Sequence, residues 1–204
     1  MLRSSAASVI RLTRYNYSRM AATAGRLIVV MLAALVLGLV PSVHADGVQT
    51  RVIPRAWLNM PRRADGAIPK RLSQTGAFAD TRLLIPASGL IPYELIESFW
   101  SDGADKQRWI AIPAKIGFAP TGEWSFPAGT VFVKTFELPH DEAHPQLKQR
   151  LETRLLVRDA DGGVYGVVYK WRSDGSDADL INTSLTEQVG SLTWYYPSRV
   201  DCLQ

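Results

Sequence analysis

Cysteine is almost missing from this chain: its 204 residues contain one, Cys202. A single thiol excludes an intramolecular disulfide, so any core must come from burial alone. The 47% hydrophobic content is enough for one ordinary domain. Histidine is scarce as well, with three residues: His44, His140 and His144. No G-x-S-x-G elbow occurs, and two of the three histidines share one short loop, so a Ser-His-Asp enzyme is not expected. With no catalytic constellation in view, a binding or electron-transfer role is expected ahead of catalysis. The chain also lacks an internal repeat, a low-complexity tract and an apolar run of the ~20 residues that a membrane helix needs.

Acidic residues are absent from positions 1–45, which carry five arginines (Arg3, Arg11, Arg14, Arg19, Arg26). Of the 23 basic side chains, 18 therefore remain in the rest of the chain against 19 acids, a net of −1. The formal charge of +4 thus belongs to the leader, and no nucleic-acid partner is expected. Leu27 to Val40 is an uninterrupted apolar run preceded by Arg26 and followed by Pro41-Ser42-Val43-His44-Ala45. Val43 and Ala45 suit the small-residue positions of a signal peptidase site, which predicts a signal peptide over 1–45, cleaved after Ala45. Met20 is an alternative start that gives a leader of ordinary proportions. The mature chain is expected in the periplasm or secreted, with the membrane as partner only if the leader stays uncleaved. His44 leaves with the leader.

Residues 46–70 read as an irregular arm, rich in proline and glycine, with Arg51, Arg55, Arg62 and Arg63 as a solvated basic patch. Residues 71–197 read as a β-domain. Tyr93 to Trp100 is expected to be irregular or strand-like. Strands are expected at Lys106–Ile112, Glu123–Phe126, Thr130–Leu138, Leu151–Val157, Val164–Trp171, Leu180–Ile181 and Leu192–Tyr196, from alternation and β-branched or aromatic content. Asp159-Ala160-Asp161-Gly162-Gly163 predicts a hairpin turn. Short strands with frequent turns and no helical period predict a mainly β fold: an antiparallel β-sandwich, with the jelly roll as one candidate form.

Residues 198–204 carry Cys202, two residues before the last position given. Haem c attachment requires C-x-x-C-H, two thiols for the vinyl thioethers and a histidine for the iron. Cys202-Leu203-Gln204 supplies the first cysteine and both spacers, which suggests a haem motif interrupted within itself. A lone cysteine is the plain alternative.

Several segments together bear on that choice. Leu72-Ser73-Gln74-Thr75-Gly76-Ala77-Phe78, Pro92-Tyr93, Phe99-Trp100-Ser101-Asp102-Gly103-Ala104-Asp105-Lys106, Trp124-Ser125-Phe126-Pro127-Ala128-Gly129-Thr130, Lys134-Thr135-Phe136, Glu152-Thr153-Arg154-Leu155-Leu156 and Tyr169-Lys170-Trp171 occur in this order. Over about residues 70–204 the sequence resembles a family of exported bacterial haem-binding, c-type cytochrome-like proteins. In that family a β-rich region runs into C-x-x-C-H through an aromatic-Pro-Ser-Arg segment. The resemblance implies haem c in the full-length parent, attached through Cys202, and an electron-transfer role with a redox partner that the sequence does not name. The second cysteine and the histidine are not in this chain, so no covalent haem is expected on it as given.

Rival chemistry is weighed on the same residues. His140-Asp141-Glu142-Ala143-His144 invites a metal, but a zincin places glutamate second on a helix, whereas here it is third and between Pro139 and Pro145. His140 and His144 are expected in a solvated loop, with no metal. The acids around Asp159–Gly162 and Asp174–Asp179 resemble calcium loops, yet the twelfth position counted from Asp159 is Lys170 rather than glutamate. Turns are expected instead. Six tryptophans could line a sugar-binding face, making a non-redox, carbohydrate-binding module the alternative function. Their place within alternating strands favours core packing.

Overall fold

In the computed structural model, residues 10–11, 52–97, 100–139 and 143–201 are described. The apolar run Leu27–Val40, the cleavage site after Ala45, His140 and Cys202 lie outside them.

Alternation builds one long antiparallel sheet. β1 (Ile10–Arg11) pairs with β5 (Glu94–Leu95), and β2 (Phe78–Asp80) pairs with β3 (Ile85–Pro86). The main sheet joins β4 (Ile91–Pro92), β6 (Asp105–Ala111), β7 (Val131–Pro139), β8 (Lys148–Arg158), β9 (Val164–Trp171) and β10 (Ala178–Ile181). Its spatial order is β10-β9-β8-β7-β6-β4, each strand antiparallel to its neighbours. A last hairpin pairs β11 (Leu185–Val189) with β12 (Leu192–Tyr196). The mainly β, antiparallel class is the one expected. The strand order of the main sheet is an up-and-down meander, without the Greek-key crossings of a jelly roll.

Each face of the sheet has its own cover. On the first face Trp109, Val131, Val133, Leu155, Val157, Val167, Tyr169 and Trp171 pack beneath Leu58, Met60, Leu72, Phe78 and Leu84. Phe78 meets Trp109 edge-on at 5.3 Å. Thr135 and Thr153 are buried here because each satisfies the other: their hydroxyls lie 2.8 Å apart, and Trp171 Nε1 donates to Thr153 Oγ1 at 3.0 Å. On the second face Phe136, Leu138 and Leu151 pack with Val189, Trp194 and Tyr196 of the hairpin.

A β-bulge separates the two halves of β7 and β8. Phe136 faces Glu152, but Glu137 faces Arg150, leaving Leu151 as the extra residue. Both Leu151 and Glu152 are therefore buried, at 3% and 0% exposure, where strict alternation would expose one of them.

Residues 52–70 have irregular backbone and are nonetheless built into the core. Leu58 and Met60 are buried, Trp57 N donates to Gly129 O, Asn59 N donates to Thr75 O, and Tyr169 Oη donates to Pro69 O. The close approach at Gly129 depends on the missing side chain. Its φ is +85°, and a Cβ there would stand 2.7 Å from Ala56 Cβ and 3.1 Å from Trp57 N. Gly129→Ala should cost about 1–3 kcal/mol in chemical denaturation. An unchanged midpoint would show that residues 56–57 are not held against this turn.

Two strand expectations differ from the structure. Glu123–Phe126 contributes a single bridge, Gly117 to Ser125, because Pro113, Pro120 and Pro127 crowd the segment and remove ladder donors. Leu185–Val189 is a strand that composition hides, since Thr186, Glu187 and Gln188 are exposed and its partner β12 supplies the apolar residues.

Candidate functional site

The approach to Cys202 is fixed to the domain. Tyr196 ends β12 buried at 2% exposure, and its hydroxyl donates to Glu187 Oε2 at 3.0 Å. Pro197 is buried behind it. The Asp201 carboxylate then closes a turn, with Oδ2 accepting from Ser198 N, Ser198 Oγ and Tyr195 Oη, each at 2.8 Å. Those three donors hold its pKa below the ordinary carboxylate value. Arg199 Nη2 donates to Ala64 O at 2.7 Å, tying the turn to the irregular N-terminal stretch.

Of the two loop histidines weighed as metal ligands, His140 is outside the described residues, and His144 is exposed in the loop before β8. Among the described residues no group of three or more His, Cys, Asp or Glu is arranged to hold a metal ion. The acidic runs are occupied in holding turns. Asp159 Oδ1 accepts from Asp161 N and Gly163 N at 3.0 and 2.7 Å, Asp161 pairs with Arg63, and Asp177 accepts from Ser73 N and Oγ. Three tryptophans, Trp109, Trp171 and Trp194, are core residues, while Trp100 stands 82% exposed.

The second face of the sheet carries a feature that strand-by-strand reading missed. Register brings Arg108 of β6, Lys134 of β7 and Arg154 of β8 into one row, since Arg108 pairs with Lys134 and Lys134 with Arg154. Like charges directly opposite one another destabilise a sheet. The next row holds Lys106, Phe136, Glu152 and Lys170. The row on the other side holds Ile110, Phe132 and Leu156, extended by Tyr93 and Phe126, whose rings lie 6.3 and 5.0 Å from that of Phe132.

Glu152 is the acid within this group. Arg154 Nη2 donates to its Oε1 at 2.5 Å. Burial pushes its pKa above the usual value, opposed chiefly by Arg154. The Trp194 indole N–H is close enough to favour the carboxylate as well, without the alignment of a hydrogen bond. Phe136 sits between cations, with Lys134 Nζ 4.5 Å and Arg154 Cζ 4.6 Å from its ring centre and Trp194 edge-on at 5.7 Å. Burial, followed by repulsion from Arg108, Arg154 and Lys106, lowers the Lys134 pKa to about 8.

Several other cations among the described residues are matched. Lys148 pairs with Asp105, Arg150 with Glu137, Lys170 with Glu187 and Arg172 with Asp179. Several of these pairs surround a polar cleft of about 610 Å³ between β8, β9 and the hairpin. Among the described residues Arg108 and Lys134 form no ion pair. The signal was present in the sequence as polar residues at alternate positions of the best strands, but it required the register to be read.

Among the described residues no helix is long and apolar enough to cross a membrane. Comparison with protein-family models, with curated proteins and with solved structures finds no match to this chain.

Proposed function

We propose that this β-domain is the N-terminal part of an exported c-type haem protein, with Cys202 as the first haem-attachment cysteine and electron transfer as the role of the intact protein. The observation that carries the reading is the anchored segment Tyr196-Pro197-Ser198-Arg199-Val200-Asp201. A covalent cofactor serves electron transfer when its attachment point is held at a set position against the fold. Here the residue before Cys202 has its carboxylate held by three donors, and Arg199 is tied across to Ala64. The ordered resemblance of residues 70–204 to exported haem proteins supports the same reading, as does the predicted leader, because haem c is attached after export.

The test is the gene itself. Reading beyond the Gln204 codon should give Cys-His in frame. The extended protein, expressed with a periplasmic haem-maturation system, should run as a band that stains for haem under denaturing conditions. Cys202→Ala should reduce covalent haem strongly. If no frame encodes Cys-His there and the extended product carries no haem, the reading is lost.

A further inference from the structure

The row Arg108, Lys134 and Arg154 is costly as it stands. Three cations occupy directly opposed positions on three neighbouring strands, and the one acid beside them, Glu152, is engaged by Arg154. Two guanidinium nitrogens of the row, Arg108 Nη2 and Arg154 Nε, are buried without any hydrogen-bond partner. Buried donors are nearly always satisfied, and each exception calls for a cause. Opposite charges facing each other across strands stabilise a sheet, and this domain has such a pair at Arg150–Glu137. An oxyanion over the half-buried row would supply the missing charge.

The surroundings indicate what else the ligand carries. On one side of the row lie Tyr93, Phe126 and Phe132, with Leu156 36% exposed and Val164 37% exposed beyond them. On the other side the hairpin closes over Phe136 through Trp194. Solvent thus reaches a basic strip bordered by aromatic and aliphatic surface. We propose that Arg108, Lys134 and Arg154 form a binding site for an anionic ligand, a carboxylate or phosphate attached to a flat apolar body that rests on Phe132 and Leu156. This assignment does not depend on the haem reading.

Lys134 adds a signature that a merely structural role would not give. Facing Arg108 and Lys106 from β6, and Arg154 with Glu152 from β8, it is partly deprotonated near pH 8 in the free protein. A bound anion restores the proton, so binding just above that pH takes up protons from the buffer.

The experiment is calorimetric titration of the full chain with 2-naphthoate, with its neutral analogue 2-naphthalenemethanol and with inorganic phosphate, alongside sedimentation with phosphatidylcholine vesicles containing or lacking phosphatidylglycerol. The expected result is saturable binding of 2-naphthoate or phosphate, weakened by salt, with none for the neutral analogue. Lys134→Gln should weaken it about tenfold or more, Lys134→Arg should retain it, and Lys148→Gln, on a separate ion pair, should leave it unchanged. At about pH 8.5 the binding enthalpy should depend on the ionisation enthalpy of the buffer. Capture by phosphatidylglycerol vesicles alone, lost in Lys134→Gln, also supports the site and assigns the phosphate to a lipid headgroup. No binding in any arm, or equal binding by wild type and Lys134→Gln, overturns the proposal.

Discussion

Phe136→Ala should destabilise the domain by about 3–5 kcal/mol and release the hairpin Leu185–Tyr196 from the sheet. Phe136 is 2% exposed and lies at the centre of the second core cluster. Truncation removes its edge contact with Trp194 and leaves the ammonium of Lys134 and the guanidinium of Arg154 facing a void instead of a ring. The hairpin is two short strands that pair with each other alone, and such units are marginal without an apolar face to rest on. Urea denaturation reads the stability loss, and amide exchange reads the hairpin. The amides of Thr193 to Tyr196 should lose protection before those of β7 to β9. Leu192→Ala, at a position 38% exposed, serves as the matched control and should cost well under half as much. If Phe136→Ala loses less than about 1 kcal/mol and the hairpin stays protected, the second cluster is not what holds it.

Glu152→Ala should cost about 2–3 kcal/mol, discounted because its partner Arg154 keeps a third of its side chain in solvent. The loss comes from orphaning Arg154 within a row that already contains Arg108 and Lys134. Glu152→Gln keeps the shape and an acceptor for Arg154, and it isolates the ionisation. In the native state burial raises the Glu152 pKa above the unfolded value, so between those two values the folded protein binds more protons. Glu152 therefore favours folding most below the unfolded carboxylate range, and its contribution declines as pH rises through the folded pKa. Lys134 acts in the opposite sense. Its folded pKa of about 8 lies below the ordinary lysine value, so stability from this group rises with pH above about 8. Denaturation curves from mildly acidic to alkaline pH should show both slopes. Glu152→Gln should remove the first and Lys134→Gln the second. If Glu152→Gln leaves the acid-side slope unchanged, Glu152 is not its source.

How much was legible beforehand varies with how local the cause is. Alternation in Thr130–Leu138 and Val164–Trp171, and the Asp-Gly turn at 159–163, come from adjacent residues. The structure has strands at Val131–Pro139 and Val164–Trp171 and a tight turn between β8 and β9. Leu185–Val189 escaped because its apolar partners lie in β12, so nothing within the segment marks it as a strand. The segment before residue 71 was legible as irregular, but its burial was not. A proline-rich stretch reads as loop whether it lies on solvent or, as here, sets Leu58 and Met60 into the core. The charged row was visible residue by residue at Arg108, Lys134 and Arg154, with Glu152 in the row beside it, and invisible as a group.

The sequence by itself determined the antiparallel β class, the main strands of the central sheet and the acids that shape its turns, because each depends on periodicity and backbone preference within a few residues. Only the tertiary structure decided that Arg108, Lys134 and Arg154 stand side by side. Their strands are joined by long or irregular connections, and a shift of one residue would turn every side chain of a strand to the other face. The bulge at Phe136/Glu137 and the packing of Trp194 on Phe136 accompany that register. They place a buried carboxylate and three cations on one surface.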